Sequence, residues 1–413
     1  MSIESEPPEP PPRPRLAQLV LVGPDGVVLG QLPAVRAALP WWPEAASVVA
    51  AVRERFGLEV TLLRLLSTEE LDRRGGRVTY LAEVADVAAA HVPELEPWHL
   101  PLEAQPLRLP YAEPGGPRRD LAWARGVLAQ RGHELSSARQ VKTWNLSSLW
   151  CLTLTDGSQV WLKVVPPFFS HEARVIAAMP PGARVPTLLG HDGAGRALLA
   201  EIPGEDLFEA SLAERSAMIE LLVELQQHWR GRSAELLALG LPDYRSDALQ
   251  QAVARSIDVE RAGLDPEDGR LLDELVQGWH ERFERVAEAG VPDTLVHGDF
   301  HSGNVRASGN SLTLLDWADS GVGHPLLDCA AFLERAPLEQ RAPLLAHWCD
   351  TWRRVLPAAD PARACELLEP VAAARQAVIY HVFLNNIEPA ERVYHCNEPA
   401  LWLRRTARLL RIS

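Results

Sequence analysis

His297-Gly298-Asp299-Phe300-His301-Ser302-Gly303-Asn304 is followed, after VRASGNSLT, by Leu314-Leu315-Asp316-Trp317. At ordinary residue frequencies the pattern H-G-D-x-H-x-x-N arises by chance in about one chain in 10⁴ of this size. The nine intervening residues read as a short hairpin turning near Gly309-Asn310, which returns Asp316 to the side of the first loop. Taken singly, each polar residue has a plain structural reading. Asp and Asn in loops make turn hydrogen bonds, and a lone His is usually a structural hydrogen-bonder. The combination asks for more.

Phosphoryl transfer needs a carboxylate that aims a hydroxyl at the terminal phosphate, and oxygen ligands for the Mg²⁺ that neutralises the phosphates. A loop offering Asp299 and, five residues on, Asn304 supplies a hydroxyl-orienting carboxylate and a neutral metal ligand. Asp316 adds a second, charged ligand. The segment HGDFHSGN…LLDWADSGVGHPLLD resembles the signature of the aminoglycoside phosphotransferase and choline kinase family, relatives of the protein kinases. The resemblance implies Asp299 as catalytic base or hydroxyl positioner, Asn304 and Asp316 as Mg²⁺ ligands, and ATP as the phosphoryl donor. His324 stands where the family often has Asp, and Asp328 reads as a structural capping residue.

The family's upstream parts have counterparts here. Lys163 in the apolar strand VWLKVV matches the lysine that grips the nucleotide phosphates, and Glu172, nine residues later in HEARVIAAM, matches its helix partner. RALLAEIPGEDL is similar to the family's hinge, with Glu201 and Ile202 presenting backbone groups to adenine. The phosphate-covering loop departs from the pattern: Thr143-Trp144-Asn145-Leu146-Ser147-Ser148-Leu149 holds no glycine, so Ser147 and Ser148 are the candidates to offer N–H and hydroxyl groups. The C-terminal stretch YHVFLNNIEPAERVYHCNEPALWLRR carries Asn385, Asn386, Glu388, Glu391, His395 and Glu398. These either contact a polar acceptor, as the family implies, or form a solvated helix face.

Outward from this core, the chain divides into a proline-rich tail (1–14, disordered), a small module (15–110), a Gly/Pro/charge-rich linker (111–136), a strand-rich small lobe (137–205) and a helical large lobe (206–413). LAQLVLV, Gly23-Pro24-Asp25-Gly26 and VVLGQL read as a hairpin, and EAASVVAAVRERF as a helix capped by Gly57. WWPEAASVVAAVRERFGLEVTLL is similar to a Nudix box. Glu54 and Arg55 fall on its Glu-Glu pair and Ala50-Ala51 on its Arg-Glu pair, so a Nudix-like α/β fold without hydrolase activity is expected. Trp41, Trp42 and Trp98 read as packing residues. The expected fold class is α+β, a two-lobed protein-kinase-like domain preceded by this module.

Among 413 residues, 47% are hydrophobic and 23% charged, an ordinary globular composition, and the net charge is −14. Excess acid argues against nucleic-acid and membrane-surface binding. It suits a cationic acceptor, or serves solubility alone. Five scattered cysteines with no C-x-x-C pair read as reduced thiols, and no run approaches the roughly 18 apolar residues of a membrane span. A cytoplasmic, ATP-dependent small-molecule kinase follows, its acceptor an aminoglycoside-like compound, amino alcohol or sugar. The alternative is a catalytically weak nucleotide or metabolite sensor of the same fold.

Overall fold

The computed structural model describes residues 13–69, 74–85 and 93–412. The proline-rich tail therefore lies outside the described residues, apart from Arg13 and Pro14. The chain is α+β and forms two compact units: residues 1–164 with 387–394, and residues 165–386 with 395–413.

In the first unit the period-2 apolar runs become strands. β1 (Arg15–Val22) and β2 (Val28–Gln31) form the expected hairpin, and β3 (Val35–Arg36) also pairs with β1. The helix α1 (Ala46–Phe56) ends at Gly57, whose φ of 68° and N–H to Arg53 O make the expected C-cap. β4 (Val60–Thr68) and β5 (Gly76–Val84) pair antiparallel, while β1 and β5 run parallel, giving the mixed order β2-β1-β5-β4. Leu19, Leu21, Val48, Val52, Leu62 and Val78 fill the core with Trp42, whose Nε1 donates to Gly75 O at 2.8 Å. Full burial of each such aliphatic side chain contributes roughly 1.5–3 kcal/mol. Trp98 packs on a second cluster of Val20, Val22, Leu63 and Leu81, while Trp41 stays half exposed.

Two features of this unit depart from expectation. The segment read as a linker contains a 15-residue helix, α2 (Gly116–Gln130). Gly115 adopts a left-handed turn before it and Pro117 sits in its first turn, where a missing N–H costs nothing. Composition signalled a linker where these two residues signal a helix start. The lobe boundary read at 137 also falls inside the first unit. The three strands β6 (Leu135–Trp144), β7 (Ser147–Leu154) and β8 (Gln159–Val164) form an antiparallel meander, with the expected turn at Asp156-Gly157. Gln140 on β6 donates to Leu62 O at 2.8 Å and accepts from Leu62 N at 2.9 Å, closing the edge of β4 as another strand would.

The second unit begins with α3 (His171–Ala177) and the hairpin β9 (Leu188–His191) and β10 (Arg196–Ala200). The two-residue strand β11 (Glu205–Asp206) precedes five helices: α4 (Leu212–His228), α5 (Ser233–Ala238), α6 (Ser246–Glu260), α7 (Pro266–Gln277) and α8 (Trp279–Glu288). Four short strands follow, β12 (Thr294–Val296), β13 (Val305–Ser308), β14 (Ser311–Leu314) and β15 (Gly321–Gly323). The helices α9 (Leu327–Glu334), α10 (Leu338–Val355), α11 (Pro361–Asn386) and α12 (Glu398–Ile412) complete it. Its core is rich in large side chains, with Trp229, Trp279, Trp317, Trp348 and Trp352 buried. All five cysteines are free thiols, and among the described residues no helix is long and apolar enough to cross a membrane.

Residues 387–394 leave the second unit and pack in the first. Tyr394 joins its core, with ring centroids 5.8 Å from Trp42 and 5.6 Å from Trp144 in edge-on contact. Glu388 pairs with Arg108 at 3.0 Å and with Arg64 at 3.8 Å. Glu391 is 4% exposed and its Oε1 receives Leu65 N–H at 3.4 Å. Burial, then the Glu388 charge, push the Glu391 carboxyl up to about 8 against the opposing pull of Arg64 and Arg108. The folded state thus holds a proton that the unfolded chain releases near the ordinary carboxyl value. Stability is fully present below about pH 4.5 and is lost as pH rises towards 8, at a slope approaching about 1.4 kcal/mol per pH unit. Urea unfolding from pH 5 to 8 should show this decline in wild type, and Glu391→Gln should flatten it; an unchanged slope in Glu391→Gln would refute the assignment.

Candidate functional site

The loop carrying Asp299 is held by its backbone before any side chain is aimed. It leaves β12, which pairs with β15 through Thr294↔Gly323 to Val296↔Gly321. Asp328, 1% exposed on α9, accepts His297 N–H at 2.9 Å and Gly298 N–H at 2.8 Å. Gln226 Nε2 adds a third donor at 3.2 Å. From α11, the fully buried Arg375 donates Nη2 to Gly298 O at 2.9 Å. Burial raises the Asp328 carboxyl, and Arg375 pulls it back. Gly298 itself has φ +92°, and a Cβ there would lie 2.0 Å from Asp319 O. Only glycine fits that position. Phe300 anchors the far end, stacked on Phe332 at 4.7 Å and edge-on to Trp348 at 5.7 Å.

His297 is structural. Burial lowers its pKa, so the ring is neutral, and its Nε2 lies 2.9 Å from Leu315 O. A carbonyl only accepts, so Nε2 carries the proton. That bond ties the loop to the strand leading into Asp316. His324 is likewise neutral, its pKa lowered to about 3 by burial.

The Asp299 and Asn304 side chains are brought together, and the backbone carries Asp316 alongside. Asn304 Nδ2 donates to Asp299 O at 2.8 Å and to Asp299 Oδ2 at 3.1 Å. The hairpin β13–β14 turns at Gly309-Asn310 as expected, in the register Val305↔Leu314 to Ser308↔Ser311, with Gly309 at φ 57°. Leu315 N–H then reaches Asn304 O at 2.8 Å, setting Asp316 beside Asn304. Asp316 has φ 58°, the one non-glycine residue at positive φ among those described. Asp tolerates that conformation better than most residues, and such outliers gather at functional sites.

These donors fit a magnesium ion. Asn304 spends its amide nitrogen on Asp299, which turns its oxygen away from that bond, and Asp316 is exposed. Mg²⁺ takes one or two protein oxygens and completes its shell with phosphate and water. Among the described residues, no group of three or more His, Cys, Asp or Glu is arranged to hold a metal.

Asp299 has further partners. Oδ1 receives Arg335 Nη1 at 2.9 Å, and His301 Nε2 lies 3.4 Å from Oδ2. His301 Nδ1 accepts Gly303 N–H at 3.0 Å, which places the ring proton on Nε2, toward Asp299. Burial favours the neutral carboxyl, but the His301 hydrogen bond and the Arg335 charge outweigh it and hold the group well below the usual carboxylate range.

The remaining candidates are dispersed between the two units. Lys163 lies on β8 of the first, on the strand face opposite buried Leu162 and Val164. In the second, Glu172 is buried in the first turn of α3, and Glu201 and Ile202 follow β10. Gly204, two residues after Ile202, has φ +99°, and a Cβ there would lie 1.8 Å from Ala307 O. Ser147 and Ser148 depart from expectation. The loop read at 143–149 is a two-residue turn at 145–146, and both serines are buried at the start of β7. Their hydroxyls accept from Trp144 Nε1 at 3.1 Å and Trp150 Nε1 at 3.0 Å, so the side chains are spent on tryptophans. Glu388 and Glu391 are buried inside the first unit against Arg64, Arg108 and Leu65, and are not a solvent-facing acceptor surface. Asn385 and Asn386 remain exposed at the end of α11, with Asn386 Nδ2 donating to Val382 O.

A family model of the phosphotransferase enzyme family matches residues 128–366. No curated protein matches the chain. Among solved structures, the chain is similar to a macrolide 2′-phosphotransferase from Brachybacterium faecium, at 17% identity and a TM-score of 0.47 over 68% of this chain and 97% of that one. It is similar to an ethanolamine kinase from Plasmodium vivax, at 11% identity and 0.49 over 65% and 82%. It is also similar to an aminoglycoside phosphotransferase solved with AMP-PNP and hygromycin B, at 18% identity and 0.46 over 70% and 97%.

The glycine turn gives a direct test of the loop's geometry. Gly298→Ala should destabilise the chain by at least about 2 kcal/mol in urea unfolding, since it adds a clash to a left-handed backbone. Wild-type stability in that variant would refute the turn.

Proposed function

Since the chain belongs to the phosphotransferase enzyme family, we propose that it moves the terminal phosphoryl group of ATP to a hydroxyl of a small molecule, with Asp299 aiming that hydroxyl. The family match spans residues 128–366, which includes the whole loop and hairpin. The observation that carries the residue roles is the hydrogen-bonded convergence of Asp299, Asn304 and the backbone before Asp316.

Asn304 Oδ1 and Asp316 would hold Mg²⁺, which when bound neutralises phosphate charge. Asp299 is ionised throughout the working pH range, because its neighbours favour the charged form. So strongly stabilised a carboxylate is a poor early base. Phosphoryl transfer through a loose transition state asks little of a base, and the carboxylate's task is to fix the hydroxyl in line. Lys163 and Glu172, each within its own unit, are retained as nucleotide-phosphate candidates, and Glu201 and Ile202 as adenine-binding ones. Asn385 and Asn386 are retained as acceptor candidates. The 15–110 module is read as Nudix-like and without hydrolase activity, since Glu54 stands exposed on α1 between Arg53 and Arg55.

The test is a mass-spectrometric screen of metabolites and antibiotics for ATP-dependent phosphorylation. Asp299→Asn should lower turnover at least about 10²-fold with an unchanged circular dichroism spectrum, the scale of a positioned carboxylate. ATP binding with no phosphorylated product from any acceptor would replace this reading with that of a nucleotide sensor.

A further inference from the structure

Among the described residues, the groups that meet Asp299 leave one position on its carboxylate. An ionised carboxylate has about four lone-pair positions, two on each oxygen. Oδ2 is met by Asn304 Nδ2 at 3.1 Å and faces His301 Nε2 at 3.4 Å, and Oδ1 is met by Arg335 Nη1 at 2.9 Å. The position still open lies on Oδ1, beside the guanidinium. A hydroxyl aimed by Asp299 therefore docks next to Arg335, and the groups flanking that hydroxyl meet its remaining N–H donors.

Arg335 is placed to receive them. It caps the C-terminus of α9, where the helix dipole favours a cation, and its backbone N–H bonds Ala331 O. Its side chain is half exposed, and Asp299 is its ion-pair partner. The neighbouring Glu334 does not share the role, because it pairs with Arg405 on α12. The charges of Asp299 and Arg335 cancel beside that position, so an ammonium group next to the reacting hydroxyl would gain no net attraction from the pair. It would also sit against a guanidinium. An anionic group in the same place finds a fork of donors matched to carboxylate or phosphate oxygens.

We propose that Arg335 is the specificity-determining residue for the acceptor, selecting hydroxyl compounds that carry a carboxylate or phosphate close to the reacting hydroxyl over those that carry an amine. The inference rests on the reading that Asp299 addresses the acceptor hydroxyl. It reverses the leaning towards cationic acceptors that net charge alone suggests, because the field at the site is set by the charges within a few ångströms of it. The transfer keeps its ordinary balance. The acceptor oxygen bonds to the terminal phosphorus, the bond to the bridging oxygen breaks, and ADP keeps that electron pair. The hydroxyl proton passes to Asp299 and on to solvent.

The experiment uses the full chain with Mg-ATP and a matched set of acceptors: glycerate, glycerol and 3-aminopropane-1,2-diol, extended by a panel of hydroxy compounds sorted by charge. Wild type should favour anionic over cationic acceptors at least about tenfold in kcat/KM, and Arg335→Gln should remove most of that preference through KM, with Arg335→Lys retaining part of it. Preference for amines in wild type, or the same anionic preference in Arg335→Gln, overturns the proposal. If no acceptor in the panel turns over, binding decides: in the presence of Mg-ATP, wild type should bind glycerate at least about tenfold more tightly than 3-aminopropane-1,2-diol, and Arg335→Gln should lose that difference; equal binding of the two by wild type overturns the proposal. Asp299→Asn runs in parallel. Turnover that survives it defeats the assignment of Asp299, a failure separate from that of Arg335.

Discussion

A single buried carboxylate holds the site in place. Asp328 accepts the two successive backbone N–H groups that precede Asp299, at 2.9 and 2.8 Å, from a position almost sealed from solvent. Those donors have no sheet partner at that point, and buried N–H groups left unpaired would cost about 1–3 kcal/mol each. Arg375 takes the Gly298 carbonyl that follows them. The Asp299 carboxylate is thus aimed by its backbone, and its own side chain is left to meet other groups. Both clamps sit on helices, α9 and α11, so the precision of the loop is inherited from the helical core.

What was legible in the sequence follows from distance along the chain. Asp299, Asn304 and Asp316 lie within 18 residues, joined by a hairpin whose turn residues and alternation are visible in the letters themselves. The N-terminal hairpin, the Gly57 cap and the Asp156-Gly157 turn were readable for the same local reason. Arg335 was not, since its partner lies 36 residues away. Arg375 left a trace that could have been followed: a lone charge inside the apolar run VAAARQAVIYHVF. Buried arginines are rare enough to call for a partner. His301 sits within the motif, but its contact with Asp299 depends on a ring orientation set by Gly303 N–H.

The residues placed differently by the structure share one cause. Each is a polar side chain that the fold turns inward, where specific partners satisfy it. Ser147 and Ser148 are neutralised by tryptophan donors two or three residues away, across the strand alternation that turns them inward. Glu388 finds Arg108, 280 residues upstream. Arg15 shows the same on β1: fully buried, it donates to Glu44 Oε2 and Ser47 Oγ at 2.8 and 2.9 Å and so pins the start of α1. In each case desolvation is offset by specific bonds rather than avoided.

The excursion of residues 387–394 couples the two units through chain order. Both flanks of that segment belong to the second unit, and the segment supplies Tyr394, Glu388 and Glu391 to the first. During synthesis at about 5–20 residues per second, domains ordinarily close in the order in which they emerge from the ribosome. Here Tyr394, which packs against Trp42 and Trp144, is made more than 200 residues after Trp144, so the first unit's core lacks its aromatic partner while they are translated. A later-made segment thus completes the core of the unit made before it.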